Sequence, residues 1–337
     1  MLKPFILSAT LFLGLLQANA QTLTMPPEIE KAYANDTRSL TGKPGKKYWE
    51  NHGQYHISLT VMPPNNTITG VEQISYSNNS PDTLKSLNMK LIVNVHRGGS
   101  RGGAPDTTAG IKVDEIMING AKAAWDNNEA ITTNQMVNLS KPLLPHDSIK
   151  LDIAWHYNLS KRRGRDGVID STSFYIAYFY PRVSVYDDYK GWDIQPHTGG
   201  LEFYNDFNDY TVEVTVPRNF IVWATGTLLN PTEVLQPEFA ERLKQSMTSD
   251  STINVATRQE LADKKVTTQN TTNTWKWTAA NVSDMAIGIS DHYDWDAASV
   301  VVDNKTQRRT SMQAAFADSS QDFHHSVQFG RYSLAWF

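Results

Sequence analysis

The densest run of chemically useful side chains lies between Tyr175 and Asp193, where Tyr175, Tyr178, Tyr180, Tyr186, Tyr189 and Trp192 interleave with Arg182, Asp187, Asp188, Lys190 and Asp193. Shortly after it, Glu202-Phe203-Tyr204-Asn205-Asp206-Phe207-Asn208-Asp209-Tyr210 repeats the pattern. Aromatic faces stack on sugar rings, and two carboxylates drawn from Asp187, Asp188 and Glu202 could act as acid and base in glycoside hydrolysis. The same residues suit the edge of a sandwich whose Tyr hydroxyls satisfy buried polar groups. Composition alone favours that structural reading.

The histidines are less promising. His52 and His56 have a spacing that suits zinc on a helix, but Gly53 stands where the peptidase pattern His-Glu-x-x-His carries its general base. His56 also falls in an alternating pattern, and residues four apart on a strand stand about 13 Å apart at ~3.3 Å per residue. His324 and His325 are adjacent on an expected helix and point about 100° apart. No His-Glu-x-x-His occurs in the sequence, nor any Gly-x-x-x-x-Gly-Lys-Ser/Thr. The basic, Gly-rich run after His96 reads as a loop, because no helix pattern follows to offer a phosphate its dipole.

Composition narrows the classes further. The 337 residues carry 31 Lys+Arg against 35 Asp+Glu, a net charge of −4, which excludes a strongly basic nucleic-acid binder. Hydrophobic residues at 40% and charged residues at 20% exclude a disordered chain and a multispanning membrane protein. The absence of cysteine excludes disulfides, thiolate-bound metal and a Cys nucleophile. Lys3, the apolar run from Phe5 to Leu16 and Ala18-Asn19-Ala20 form a signal-peptide pattern over residues 1–20, with Gln21 as the expected mature N-terminus. The run is shorter than the ~20 residues that span a bilayer, so no membrane span is expected after its removal. An exported chain without cysteine suits a bacterial envelope, in the periplasm or outside the cell.

Residues 21–50 are polar and turn-rich, a loosely held leader. From 51 to about 297 the grammar is that of strands. Tyr55–Val61, Ile68–Tyr76, Leu87–Val93, Ile111–Ile118, Ile149–Trp155, Tyr210–Val216, Trp275–Ala279 and Met285–Ile289 read as half-buried strands, most of them alternating. Asn119-Gly120 is a hairpin turn. Many short strands between turns indicate a mainly β, antiparallel sandwich. Residues 231–270 read as an insertion, helical in its first part. Beyond Ser319 a helix pattern places Phe323, Val327, Tyr332, Leu334 and Trp336 on an apolar face and runs to Phe337 with no Gly or Asn cap. That pattern predicts a chain cut inside a larger protein.

Phe179-Tyr180-Pro181-Arg182-Val183-Ser184-Val185-Tyr186-Asp187-Asp188, Gly191-Trp192-Asp193, Glu202 to Val212 and Val214-Thr215-Val216-Pro217 resemble the aminopeptidase N-like zinc metallopeptidases, peptidase family M1, and most of all their exported bacterial members. Ala224 to Leu228, Trp275 to Ala279 and Ala286 to Tyr293 look like the closing strands of that family's N-terminal domain. The resemblance implies a saddle-like antiparallel β domain over 51–297, followed over 298–337 by the first strands and helix of a thermolysin-like α/β domain. It also implies that the zinc-binding motif lies beyond Phe337, so that this chain holds no catalytic residue, binds no zinc and is inactive alone. The chain then serves as scaffold and as one wall of the cleft for a peptide substrate. The family's N-terminal domain often lends a Gln to grip the substrate's amino group; Tyr178 stands at that position here, with Tyr180 and Glu202 as substitutes. The alternative is a stand-alone β-sandwich binding module, with glycans as the candidate ligand.

Overall fold

The computed structural model of the protein describes residues 24–97, 108–127, 133–161, 165–198, 200 and 202–337. The expected signal peptide and most of the Gly-rich loop after His96 lie outside the described residues. No helix among those described is long and apolar enough to cross a membrane.

The chain divides into two compact units between Tyr48 and Trp49. The first contains α1 (Pro27–Ala34), a helix where the sequence suggests a loose leader. Pro27 presets its first turn, Glu28 and Glu30 complement the dipole there, and Ala32 is buried. Thr37 closes its end, donating from both its amide and its hydroxyl to Ala32 O at 3.1 and 2.9 Å.

Among the described residues the second unit carries twenty strands. The first seven are β1 (His52–Val61), β2 (Thr67–Ser77), β3 (Leu84–Lys90), β4 (Lys112–Ile118), β5 (Ala121–Lys122), β6 (Asn134–Leu143) and β7 (Ser148–Asn158). They are followed by β8 (Gly167–Val168), β9 (Phe174–Ala177), β10 (Arg182–Val183), β11 (Tyr186–Asp187), β12 (Gly191–Trp192), β13 (Asn208–Pro217), β14 (Ile221–Ala224) and β15 (Thr227–Leu228). Helices α2 (Pro231–Val234) and α3 (Pro237–Ser246) then lead to β16 (Ile253–Ala256), α4 (Arg258–Ala262), β17 (Thr272–Val282) and β18 (Ala286–Ser290). The chain closes with β19 (Asp294–Asp303), β20 (Arg308–Phe316) and α5 (Ser326–Trp336).

The fold is mainly β. Its largest sheet runs β15-β17-β13-β1-β2-β7-β4-β5, beside a four-stranded sheet β14-β18-β9-β8, two three-stranded sheets, β10-β3-β6 and β16-β19-β20, and the pair β11-β12. Strict alternation explains the large sheet. In β1 the inward set is Gly53, Tyr55, Ile57, Leu59 and Val61, and β13 buries Tyr210, Val212, Val214 and Val216 in the same way. Every pairing between these strands is antiparallel except β1 with β13, which run parallel with Tyr55 opposite Tyr210 and Leu59 opposite Val214. The Asn119-Gly120 turn joins β4 to β5 with both residues at positive φ, 48° and 78°.

Three expectations change in detail. The strand expected over Leu87–Val93 ends at Lys90, and Ile92–His96 forms a 3-10 turn. A continuous apolar run does not distinguish the two. The expected boundary at 297 falls inside β19, and β16, from the segment read as an insertion, pairs with that strand. The last helix begins later than Ser320, because Gln321–His325 is a 3-10 turn. Only Val327 of α5 is buried, and Phe329, Tyr332 and Trp336 are exposed.

Gly70 illustrates how tightly the main sheet packs. It lies opposite Trp155 across β2 and β7, and a Cβ there would come 2.3 Å from the Trp155 ring, which is fully buried. Gly70→Ala forces that ring to move and is expected to cost about 1–3 kcal/mol, as overpacking does, read as a fall in the urea midpoint at unchanged m-value. An unchanged midpoint would mean that the ring has room to shift.

Candidate functional site

The start of the first aromatic segment and much of the second line a recess of about 720 Å³. Its lining comes from β9, from the residues just before β18 and from the stretch that leads into β13: Tyr175, Tyr178, Phe203, Tyr204, Phe207 and Asp284, with Arg165 at the rim. Tyr178 follows β9 directly and has φ 59°, a left-handed conformation that a non-glycine residue adopts only under constraint. The kink ends the strand. The Tyr178 ring then meets Phe203 edge to face, with centroids 5.3 Å apart, and Arg165 pairs with Glu202.

Beneath the recess lies a buried polar cluster. Arg182 is buried, and its Nη1 donates to Asp284 Oδ2 at 2.8 Å. The guanidinium also lies 4.5 Å from the Tyr180 ring centroid and 5.5 Å from that of Phe203. Burial opposes its charge, but Asp284 and Tyr180 outweigh that and hold its pKa raised. Asp284 Oδ1 accepts from Met285 N at 2.8 Å and lies 3.1 Å from the Tyr180 hydroxyl. The carboxylate is thereby fixed with about a quarter of its surface open.

Of the residues singled out from the sequence, Tyr178 lines this recess and Glu202 is exposed beside it, paired with Arg165. Tyr180 is fully buried, its hydroxyl 2.9 Å from that of Tyr210, and it presents no surface to a ligand. Asp187 accepts from Asp188 N at 2.8 Å and from the Tyr204 hydroxyl at 2.9 Å, with its pKa raised by burial and by Asp188. Asp187 and Glu202 therefore have separate partners, a poor start for a glycosidase pair. His52 and His56 share β1, and His52 Nε2 lies 3.0 Å from Asp209. Among the described residues no three His, Asp or Glu side chains are grouped to hold a metal ion.

Sequence reasoning alone does not single out Arg165 and Asp284. They lie over a hundred positions apart and only the fold joins them. For Asp284 the one sequence signal is an acid directly ahead of an apolar strand, a place that falls on the rim of a sheet.

No family model matches the sequence, and no curated protein matches it. Among solved structures, the chain is similar to an M1 zinc metallopeptidase from Deinococcus radiodurans, at 14% identity and TM-score 0.45, over 82% of this chain and 49% of that one. A mutant of the M1 zinc metallopeptidase from the same organism, bound to a Tyr-Ser-Ala substrate, gives 14% identity and TM-score 0.43, over 82% and 50%. The chain thus spans about half the length of the structures it matches.

Proposed function

We propose that this chain is the N-terminal portion of an exported zinc metalloaminopeptidase, which removes N-terminal residues from peptides, and that it supplies the β scaffold and one wall of the substrate cleft. The recess around Tyr178 carries the reading. It combines ring faces suited to a substrate side chain with the partly open carboxylate of Asp284, suited to a terminal ammonium, and Glu202 stands beside it, paired with Arg165. On this reading the zinc and its ligands belong to sequence beyond Phe337, with β19, β20 and α5 as the opening of the domain that contains them.

The test uses this chain and the longest reading frame that includes it, assayed with a panel of amino-acid 4-nitroanilides and for bound zinc. The expected result is an inactive, zinc-free short chain and a long form that is active with one zinc. In the long form Tyr178→Ala raises KM about tenfold with kcat within about threefold, the pattern of lost ground-state binding. An active, zinc-loaded short chain, or a long form without aminopeptidase activity, refutes the proposal.

A further inference from the structure

A second cavity, of about 510 Å³, opens on the outer face of the four-stranded sheet and is bounded on its far side by β20. At its floor three residues lie directly opposite one another across neighbouring strands: Trp223 on β14, Gly288 on β18 and Tyr175 on β9. Directly opposed residues project to the same face, so this row is aromatic, glycine, aromatic. With neighbouring strands ~4.8 Å apart, the backbones of Trp223 and Tyr175 stand about 9.6 Å apart. A flat ring in van der Waals contact on both sides needs about 7–8 Å.

Cross-strand aromatics often fold over a strand glycine. Here a Cβ on Gly288 would meet a single atom within 4 Å, Trp223 Cε3 at 3.8 Å, and nothing from Tyr175. A glycine within a strand marks a place where something approaches the backbone closely. Ala286, on the same face as Gly288, keeps the floor shallow, and Met312 lines the cavity from β20. The lining contains no Lys, Arg, Asp or Glu, so a charged ligand group would lose its hydration without a counter-charge.

We infer that the Trp223–Gly288–Tyr175 slot binds a flat, neutral aromatic ring. The slot shares Tyr175 and Ala286 with the lining of the Tyr178 recess but does not rest on the peptidase reading. The slot is one ring thick, and its specificity comes from thickness and neutrality, with Ser311 and Gln313 at the β20 side to receive a polar substituent.

The test is isothermal titration of the full chain with acetophenone, acetylcyclohexane and benzoate. Acetophenone is expected to bind saturably, with acetylcyclohexane about fivefold weaker because its puckered ring loses the stacking contribution, and benzoate at least about tenfold weaker. Gly288→Val fills the slot and abolishes acetophenone binding. Its Tm is expected to be unchanged or higher, because Val favours a strand and a Cβ there meets only Trp223 Cε3, at 3.8 Å. Tyr175→Ala, at a position 39% exposed, weakens acetophenone about fivefold and decides the matter should Gly288→Val lower the Tm. No saturable binding, equal binding of acetylcyclohexane or benzoate, or full affinity in the folded variants overturns the proposal.

Discussion

Arg182→Leu is expected to destabilise the protein by about 3–5 kcal/mol, the range for removing one partner of a buried charge pair. Arg182 is 2% exposed and is the group that the Asp284 carboxylate is built around. Its loss leaves that carboxylate, among the described residues, with only Tyr180 and a backbone amide. Glu72 is also affected. It is fully buried, neither carboxylate oxygen has a hydrogen-bond partner among the described residues, and burial pushes its pKa well up while Arg182 opposes that rise. Without Arg182 the carboxyl is driven further toward its neutral form. Urea unfolding monitored by tryptophan fluorescence reads the change. A second substitution, Asp284→Asn, placed on Arg182→Leu should recover part of the loss by removing the stranded charge. A loss below about 1 kcal/mol for Arg182→Leu, or no recovery in the double variant, would show that the cluster is not held together by this charge.

Asp206→Asn should stabilise the protein, and by an amount that depends on pH. Burial, with Glu50 and Asp187 nearby, pushes the Asp206 carboxyl up to about 7. The folded chain therefore holds this proton up to about pH 7, whereas the unfolded chain releases it near 4. Between those values the folded state binds more protons, so stability falls as pH rises through the interval. Below about pH 4 both states are protonated and the substitution changes little. Above about pH 7 it removes a penalty of about 2–4 kcal/mol, the lower figure allowing for partial solvent access. Tm measured from pH 4 to 8 gives the check: the gain grows across that window. A gain that is flat with pH, or largest at pH 4, contradicts the assignment.

Much of the architecture can be read from residue order because each long strand of the main sheet buries one face. In β1, β7, β13 and β17 that leaves inward residues at a period of two. The parallel pairing of β1 with β13 cannot be read this way, since alternation fixes which face is buried and says nothing of neighbour or direction. Tyr178 and Tyr180 show the limit within the site. Two positions apart, they would share a face if the strand continued, but the left-handed turn at Tyr178 breaks the alternation. Tyr180 consequently goes into the core while Tyr178 stays at the recess. Asp284 joins Tyr180 directly and through Arg182, whose burial is a tertiary result with no local signature.

The parallel pairing also bears on how the protein reaches this state. About 150 residues separate the end of β1 from the start of β13, a closure far costlier in chain entropy than any hairpin in the sheet. β1, β2, β7 and β4 can associate through antiparallel neighbours first. Until β13 arrives, β1 is left with an unsatisfied backbone edge beside Tyr55, Ile57, Leu59 and Val61. Such an edge pairs readily with other chains, and topologies dominated by distant contacts fold slowly. The interval before β13 docks is therefore when this protein is most exposed to aggregation, and a holding chaperone that covers the β1 edge would raise its yield more than one that binds elsewhere.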